Sequence, residues 1–122
     1  MRWLKIWNES TLEELARIPS LYSTENIPAK DKIIYEHFFI FSSDWYIAEY
    51  DSKDEIMFGF AILNDDYQNS EWGYVDYNEL RDLNVKGFQV DRDLYWKPKK
   101  AGLVKRIVKG GGIWIWWKGL KH

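Results

Sequence analysis

Two neighbouring runs of high β-propensity, joined by a short polar turn, constrain the fold of this chain more than any other feature. Asp44–Asp51 and Ile56–Leu63 are rich in aromatic and β-branched residues, and the four residues between them have the length of a hairpin connection. We therefore predict two adjacent antiparallel strands. Gly59 and Ala61 remove bulk from one face of the second strand, so we expect a helix or an aromatic ring to approach closely there.

The flanking segments predict further elements on both sides of this hairpin. Ile33–Phe41 is apolar on both of its faces, which is typical of a central strand covered on both sides. Glu71–Val75 is predicted as a short fourth strand. Ser10 and Asp76 each precede a glutamate by three residues, which is the capping signature of a helix start, and the first of these helices ends at Pro19. The pattern indicates an α+β domain: a mainly antiparallel sheet of four to five strands with two short helices.

Composition narrows the class of protein. The chain of 122 residues has the length of one domain, and it contains no cysteine, which excludes a disulfide framework and a thiolate zinc site. No run approaches the roughly 20 apolar residues of a membrane span, and the first residues lack the pattern of a signal peptide. We therefore expect a cytoplasmic protein.

The net charge of −2 conceals an asymmetry between the two ends of the chain. Residues 1–85 carry 7 Lys/Arg and 17 Asp/Glu, a balance of −10, and residues 86–122 carry 10 and 2, a balance of +8. Such a separation is found in proteins that bind nucleic acid or an acidic partner. The other interpretation, which the near cancellation favours, is that the basic end folds against the protein's own acidic body.

Several short motifs occur in a distinctive order along the chain. They are Leu21-Tyr22, Thr24-Glu25, Phe38-Phe39, Asp44–Asp51, Phe58-Gly59-Phe60, Glu71-Trp72-Gly73-Tyr74, Glu79-Leu80 and Arg92-Asp93-Leu94-Tyr95. Together they resemble family 2958 of the domains of unknown function, small bacterial proteins often carried on plasmids, phages and other mobile elements. The match covers roughly Leu21 to Trp96, and Asp91 stands where the family more often has Glu.

The resemblance implies a fold unit and a mobile-element setting, but no established reaction. It divides the single domain 1–122 into a family-like core, residues 21–98, and a basic, Trp-rich C-terminal element, residues 99–122.

Histidine and serine chemistry has little support in the sequence. His122 is the last residue, and His37 lies inside an apolar strand, where a hydrogen-bonded core histidine is the commoner outcome. No Gly-x-Ser-x-Gly elbow and no phosphate-binding glycine loop is present.

Carboxylates are the remaining catalytic candidates. Glu49 and Asp51 project to one face of an extended strand, and Glu71 and Asp93 join them if their strands pair nearby. Clustered acids hold Mg²⁺ or act as an acid and base pair. The alternative is a solvated strand face at the edge of the sheet, which we favour.

Arg92, between Asp91 and Asp93, is interpreted as structural. Its guanidinium can bind a carboxylate such as Glu71 or Glu49 through two parallel hydrogen bonds. Such a pair would fix how this segment docks on the sheet.

The C-terminal element suggests a binding surface. The candidate contacts are Lys99, Lys100, Lys105, Arg106, Lys109, Trp114, Trp116 and Trp117. This mixture suits single-stranded nucleic acid, because the cations can follow its phosphates while exposed rings stack on its bases. The same mixture suits an anionic membrane surface, and a third interpretation adds Trp114–Trp117 to the sheet as a buried strand. Burial is favoured first, nucleic acid or an acidic protein second, and a membrane last.

The sequence therefore favours a non-enzymatic accessory protein of a mobile element, which acts by binding nucleic acid or a host defence protein. The rival is a small metal-dependent hydrolase or nuclease that uses the four acids. No cofactor is predicted.

Overall fold

The computed structural model describes residues 12–113 of the chain. The helices are α1 (Leu12–Ala16), α2 (Tyr77–Asp82) and α3 (Lys105–Lys109). The strands are β1 (Ile33–Ile34), β2 (Glu36–Ile40), β3 (Ser43–Asp51), β4 (Ile56–Ile62), β5 (Glu71–Asp76), β6 (Asn84–Val85), β7 (Phe88–Gln89), β8 (Asp91–Arg92) and β9 (Lys99–Lys100). Single 3₁₀ turns occupy Ala29–Asp31, Tyr67–Asn69 and Ala101–Leu103.

One antiparallel sheet dominates the architecture. Its five strands lie in the order β5-β4-β3-β2-β8, and two small pairings, β1 with β9 and β6 with β7, lie outside it. The predicted α+β class is confirmed. The described residues hold three short helices where two were predicted, because the C-terminal element contributes α3.

The predicted central hairpin is the pair β3 and β4. Tyr46 lies opposite Phe60, and the register shifts once, between Ile47 and Glu49. Gly59 is required at this point, since a Cβ atom there would lie 2.1 Å from the Tyr46 carbonyl oxygen. The expected close approach at Gly59 is therefore made by the backbone of the neighbouring strand, and not by a helix or a ring.

The run predicted as one strand, Ile33–Phe41, is interrupted. Tyr35 separates β1 from β2 and donates its amide hydrogen to the Ile47 carbonyl at 2.8 Å. β1, which precedes β2 in the chain, lies outside the five-stranded sheet. It pairs with β9, where Ile33 lies opposite Lys100. The run also ends one residue early, since Phe41 has a φ of 51° and begins the turn into β3.

The sheet has an apolar core on each face. The first cluster contains Phe38, Ile40, Trp45, Ile47 and Met57 of the sheet, with Leu15 and Ile18 from the α1 end and Tyr77 and Leu80 from α2. Asp76 begins α2 as predicted, because its carboxylate accepts hydrogen bonds from the Asn78 and Glu79 amides at 2.8 and 3.2 Å. The predicted cap at Ser10 lies outside the described residues.

The second cluster joins the C-terminal element to the sheet. Tyr46, Phe58, Phe60, Ile62 and Trp72 pack with Ala101, Val104 and Ile107. Ile107 is fully buried, and the Trp72 indole donates to the Gly112 carbonyl at 3.0 Å. The chain beyond residue 98 is therefore part of the domain core as far as it is described.

Candidate functional site

Arg106, predicted as a nucleic-acid contact, lies against the acidic body of the protein. One of its amino groups, Nη2, is 2.6 Å from Asp44 Oδ2 and 2.9 Å from Asp65 Oδ1. The other, Nη1, donates to the Tyr67 hydroxyl at 2.7 Å. Burial alone lowers the pKa of the Arg106 guanidinium, but the hydrogen bond to Asp65 and the charge of Asp44 outweigh burial and raise it. Arg106 therefore binds α3 to the sheet.

His37 extends this polar network across the sheet. Its Nε2 lies 2.7 Å from Asp44 Oδ1, and its Nδ1 lies 3.1 Å from Asp93 Oδ2. The imidazole also stacks on the Tyr46 ring, with centroids 4.5 Å apart and planes inclined by 6°. Since each ring nitrogen already faces a carboxylate oxygen, neither is left to remove a proton from a substrate. The position of His37 agrees with a structural role.

Tyr46 lies beneath the same network. Burial raises the pKa of its phenol, the nearby Asp44 carboxylate raises it further, and the charge of Arg106 acts in the opposite direction. The neutral phenol is therefore the form that the folded protein favours.

Asp93 positions the segment that follows it. Its amide donates to the His37 carbonyl at 2.9 Å, and its carboxylate accepts from the Tyr95 amide at 3.0 Å. The Trp96 indole donates to the Ile34 carbonyl at 2.9 Å, so Trp96 is held against the sheet. Tyr95 lies between Asp93 and Trp96 in the sequence, and its ring is 91% exposed.

We call residues 95–109 the basic segment. Its lysines are exposed: Lys97, Lys99, Lys100, Lys105 and Lys109. Lys100 Nζ lies 3.6 Å from Asp31 Oδ1, whereas Lys99 and Lys109 lie 4.6 Å from the centres of the Trp96 and Tyr67 rings. Within residues 12–113, no carboxylate forms an ion pair with Lys97, Lys99, Lys105 or Lys109. The predicted residues Trp114, Trp116 and Trp117 lie outside the described residues.

Glu49 does not occupy the solvated strand face that we favoured. It is fully buried, and its two oxygens accept hydrogen bonds from the Tyr22 amide at 2.9 Å and from the Thr24 amide at 3.2 Å. The Thr24 hydroxyl also donates to Glu49 Oε2. The prediction failed because the partners of Glu49 come from a loop far away in sequence. This carboxylate holds that loop on the sheet.

The other predicted acids serve separate local roles. Asp51 is half-buried and accepts from the Lys53 amide at 3.1 Å, and Asp93 bonds His37. Glu71 is exposed on the edge strand β5. Among the described residues, no group of three or more histidines and acids could hold a metal ion. The structure does not assemble the four acids into a cluster.

Arg92 forms an ion pair with an acid that the sequence analysis did not name. Its Nη1 lies 3.2 Å from Glu14 Oε2, which connects β8 to α1. This acid belongs to a helix, whereas the examples considered from the sequence, Glu49 and Glu71, belong to strands.

Sequence reasoning missed Tyr95 as an exposed ring and the acids that bind Arg106. Tyr95 does have a sequence signal, because it lies between an acidic turn and Lys97-Pro98-Lys99. Asp44 and Asp65 have none, since nothing local connects them to Arg106.

No protein-family model, curated protein or solved structure matches this chain. The resemblance to family 2958 therefore stays a prediction that depends on the ordered motifs. No helix between residues 12 and 113 combines the length and the apolar character needed to cross a bilayer.

Proposed function

We propose that this protein is a non-enzymatic binding protein that contacts single-stranded nucleic acid through the basic segment. The observation that carries the proposal is the Tyr95 ring, 91% exposed, next to lysines that form no ion pair with a carboxylate of residues 12–113. The cytoplasmic location and the mobile-element setting are further parts of the proposal, which depend on composition and on the family resemblance.

The chemistry of the segment suits this ligand. An ammonium group that neutralises a phosphate releases condensed counterions, which favours binding at low salt. An exposed ring stacks on any base, so that base contacts add affinity without sequence preference. Lys97 and Lys99 flank Pro98 directly after Tyr95, so both contributions arise within a few residues.

Two features support binding over the rival hydrolase activity. Both nitrogens of His37 face carboxylates, and Glu49 is buried beneath the loop that it holds. Neither group is positioned to activate water or to bind a metal ion from solvent.

The proposal is tested by fluorescence anisotropy with labelled single-stranded DNA and RNA over a series of salt concentrations. The double variant Lys97→Gln/Lys99→Gln is compared with the control Lys53→Gln/Lys86→Gln, which removes the same charge elsewhere. The first variant should bind more weakly, and each lost phosphate contact should make the slope of log K against log salt shallower by about 0.7. Equal losses in the two variants would indicate non-specific attraction and contradict the proposed site.

Replacement of Tyr95 tests the stacking contribution separately. Tyr95→Ala should weaken binding by about 5- to 150-fold, which corresponds to about 1–3 kcal/mol per stacked base, whereas Tyr95→Phe should retain the affinity. If Tyr95→Ala binds as tightly as the parent, the ring is not a stacking platform. If no oligonucleotide binds, the proposal fails, and an acidic protein becomes the next ligand to test.

A further inference from the structure

A groove with both apolar and acidic lining lies between α1 and the β3–β4 turn, on the face of the sheet away from α3. Its volume is about 400 Å³. The α1 end supplies three apolar side chains, and the end of β3 with the following turn supplies a phenol and two carboxylates: Leu15, Ala16, Ile18, Tyr50, Asp51 and Glu55. Ligand pockets in proteins combine mostly apolar walls with a few polar groups in this way.

Tyr50 brings to this groove a polar group for which the domain supplies no partner. The residue is only 7% exposed, and its ring packs edge-on against the Tyr77 ring, with centroids 6.1 Å apart. Its hydroxyl forms no hydrogen bond with any group of residues 12–113. A buried tyrosine ordinarily has a hydrogen-bond partner for its hydroxyl. A ligand in the groove would supply that partner.

Two carboxylates make this end of the groove negative. Burial raises the pKa of the Tyr50 phenol, and the charges of Glu55 and Asp51 raise it further, so both acids act on the hydroxyl. Asp51 accepts one hydrogen bond from the Lys53 amide at 3.1 Å. Glu55 accepts one from the Asn78 side chain at 2.9 Å.

Both carboxylates can accept further hydrogen bonds. In the described part of the chain, no donor bonds the second oxygen of Asp51 or of Glu55, and neither acid forms an ion pair. The residues from 51 to 55 contain three acids and one exposed lysine, so the turn has a net negative charge. A ligand that complements this groove carries positive charge and several hydrogen-bond donors.

We propose that the groove binds an arginine side chain of a partner protein, together with an apolar side chain adjacent to it in the partner's sequence. A guanidinium has five donors in a planar fork, which is enough to bond two carboxylates and the phenol oxygen at once. The apolar neighbour packs against Leu15 and Ile18. Lysine has three donors on a strongly hydrated ammonium and fits this set of acceptors less well. The carboxylates repel phosphates, so this site is distinct from the proposed nucleic-acid interface.

NMR titration of the ¹⁵N-labelled full chain tests the proposal, with acetyl-arginyl-leucine amide as the ligand. The matched control ligand contains citrulline, which has the shape of arginine without its charge. The arginine peptide should shift the amide signals of Tyr50, Ser52 and Glu55 in a saturable way. The citrulline peptide should bind about tenfold more weakly or less, because its hydrogen bonds to the carboxylates lack charge assistance on the donor side. A lysine peptide should bind with intermediate affinity.

Variants of the protein locate the site. Asp51→Asn/Glu55→Gln removes both charges and should weaken binding of the arginine peptide by at least about tenfold. Tyr50→Phe removes only the hydroxyl and should weaken it by about 2- to 10-fold. Because this variant keeps the buried ring, it tests the site even if the double variant loses stability. The control Asp54→Asn/Glu25→Gln removes two charges from exposed positions outside the groove and should bind like the parent.

Three results would overturn the proposal. They are equal affinities for the arginine and citrulline peptides, an equal loss of affinity in the control and groove variants, and the absence of a saturable shift at millimolar peptide. A chain that self-associates in sedimentation velocity, and ceases to do so in Asp51→Asn/Glu55→Gln, would instead assign the groove to a second copy. Because these tests contain no oligonucleotide, their outcome is independent of the proposed nucleic-acid binding.

Discussion

Replacing Glu49 with glutamine separates its structural role from the catalytic role that the rival hypothesis assigns to it. The buried carboxylate accepts hydrogen bonds from the Tyr22 amide, the Thr24 amide and the Thr24 hydroxyl. Glutamine keeps a single acceptor oxygen, so its NH₂ group must face the N–H of either Tyr22 or Thr24. We therefore expect Glu49→Gln to destabilise the fold.

The magnitude follows from two contributions. A donor that loses its acceptor at this part-buried to buried site costs about 1–3 kcal/mol, and the bonds that remain lose their charge assistance, which is worth about 1 kcal/mol. Lys32, only 2% exposed, donates to the Thr24 hydroxyl at 2.9 Å, so the loss of a nearby negative charge also weakens the compensation of this buried cation. The total is about 2–4 kcal/mol, a large share of an ordinary domain stability of about 5–15 kcal/mol.

Urea unfolding, monitored by the fluorescence of the 8 tryptophans, measures this change. The midpoint should fall with little change in the m-value, because the same surface is exposed on unfolding. Asp51→Asn is the control in the same strand, and its cost should stay below about 1 kcal/mol since its hydrogen bond to Lys53 is exposed. A loss below about 1 kcal/mol in Glu49→Gln, or a gain, would refute the structural assignment. A parent chain whose melting temperature rises with Mg²⁺ or Mn²⁺ would favour the hydrolase.

Two further predictions concern the core. Ile107→Ala should cost about 2–5 kcal/mol in urea unfolding, because this side chain is fully buried against the sheet, and a surface-like cost below about 1 kcal/mol would show that α3 is not part of the core. Burial raises the pKa of Tyr46 above its ordinary value of 10.0, so its contribution to stability is present below about pH 10 and decreases as the pH rises beyond that value. Tyr46→Phe should therefore lose less stability than the parent between about pH 9 and about pH 11, and an identical loss in both would contradict this assignment.

Local signals in the sequence were sufficient for the main elements. The β3–β4 hairpin, β5 and α2 each have a dense β pattern or a capping residue within a few positions, and the structure contains all of them. These elements form where propensity, pattern and tertiary packing agree.

Features that depend on distant partners were not predictable. The break at Tyr35 separates β2 from β1, whose partner is the distant strand β9, and the burial of Glu49 depends on Thr24 in a separate loop. Phe41 takes a left-handed φ that its side chain disfavours, so no turn preference points to it.

The basic segment shows the same dependence on distant partners at the candidate site. The charge asymmetry allowed either a binding surface or an internal pairing, and in residues 12–113 the cations of the C-terminal element divide between ion-paired and unpaired positions. Arg106 pairs with Asp44 and Asp65, whereas Lys97 and Lys99 form no ion pair with a carboxylate of residues 12–113. Composition cannot divide a run of cations in this way, since the division depends on which acids the fold brings near.

The most direct test of the proposed binding site is the reactivity of individual lysines toward an acetylating reagent, measured by mass spectrometry with and without single-stranded DNA. If the basic segment holds the nucleic acid, Lys97, Lys99 and Lys105 should lose reactivity severalfold when the oligonucleotide is added, while Lys53 and Lys86 should react equally in both samples. Unchanged reactivity in the basic segment, or equal protection of Lys53, would contradict the proposed interface.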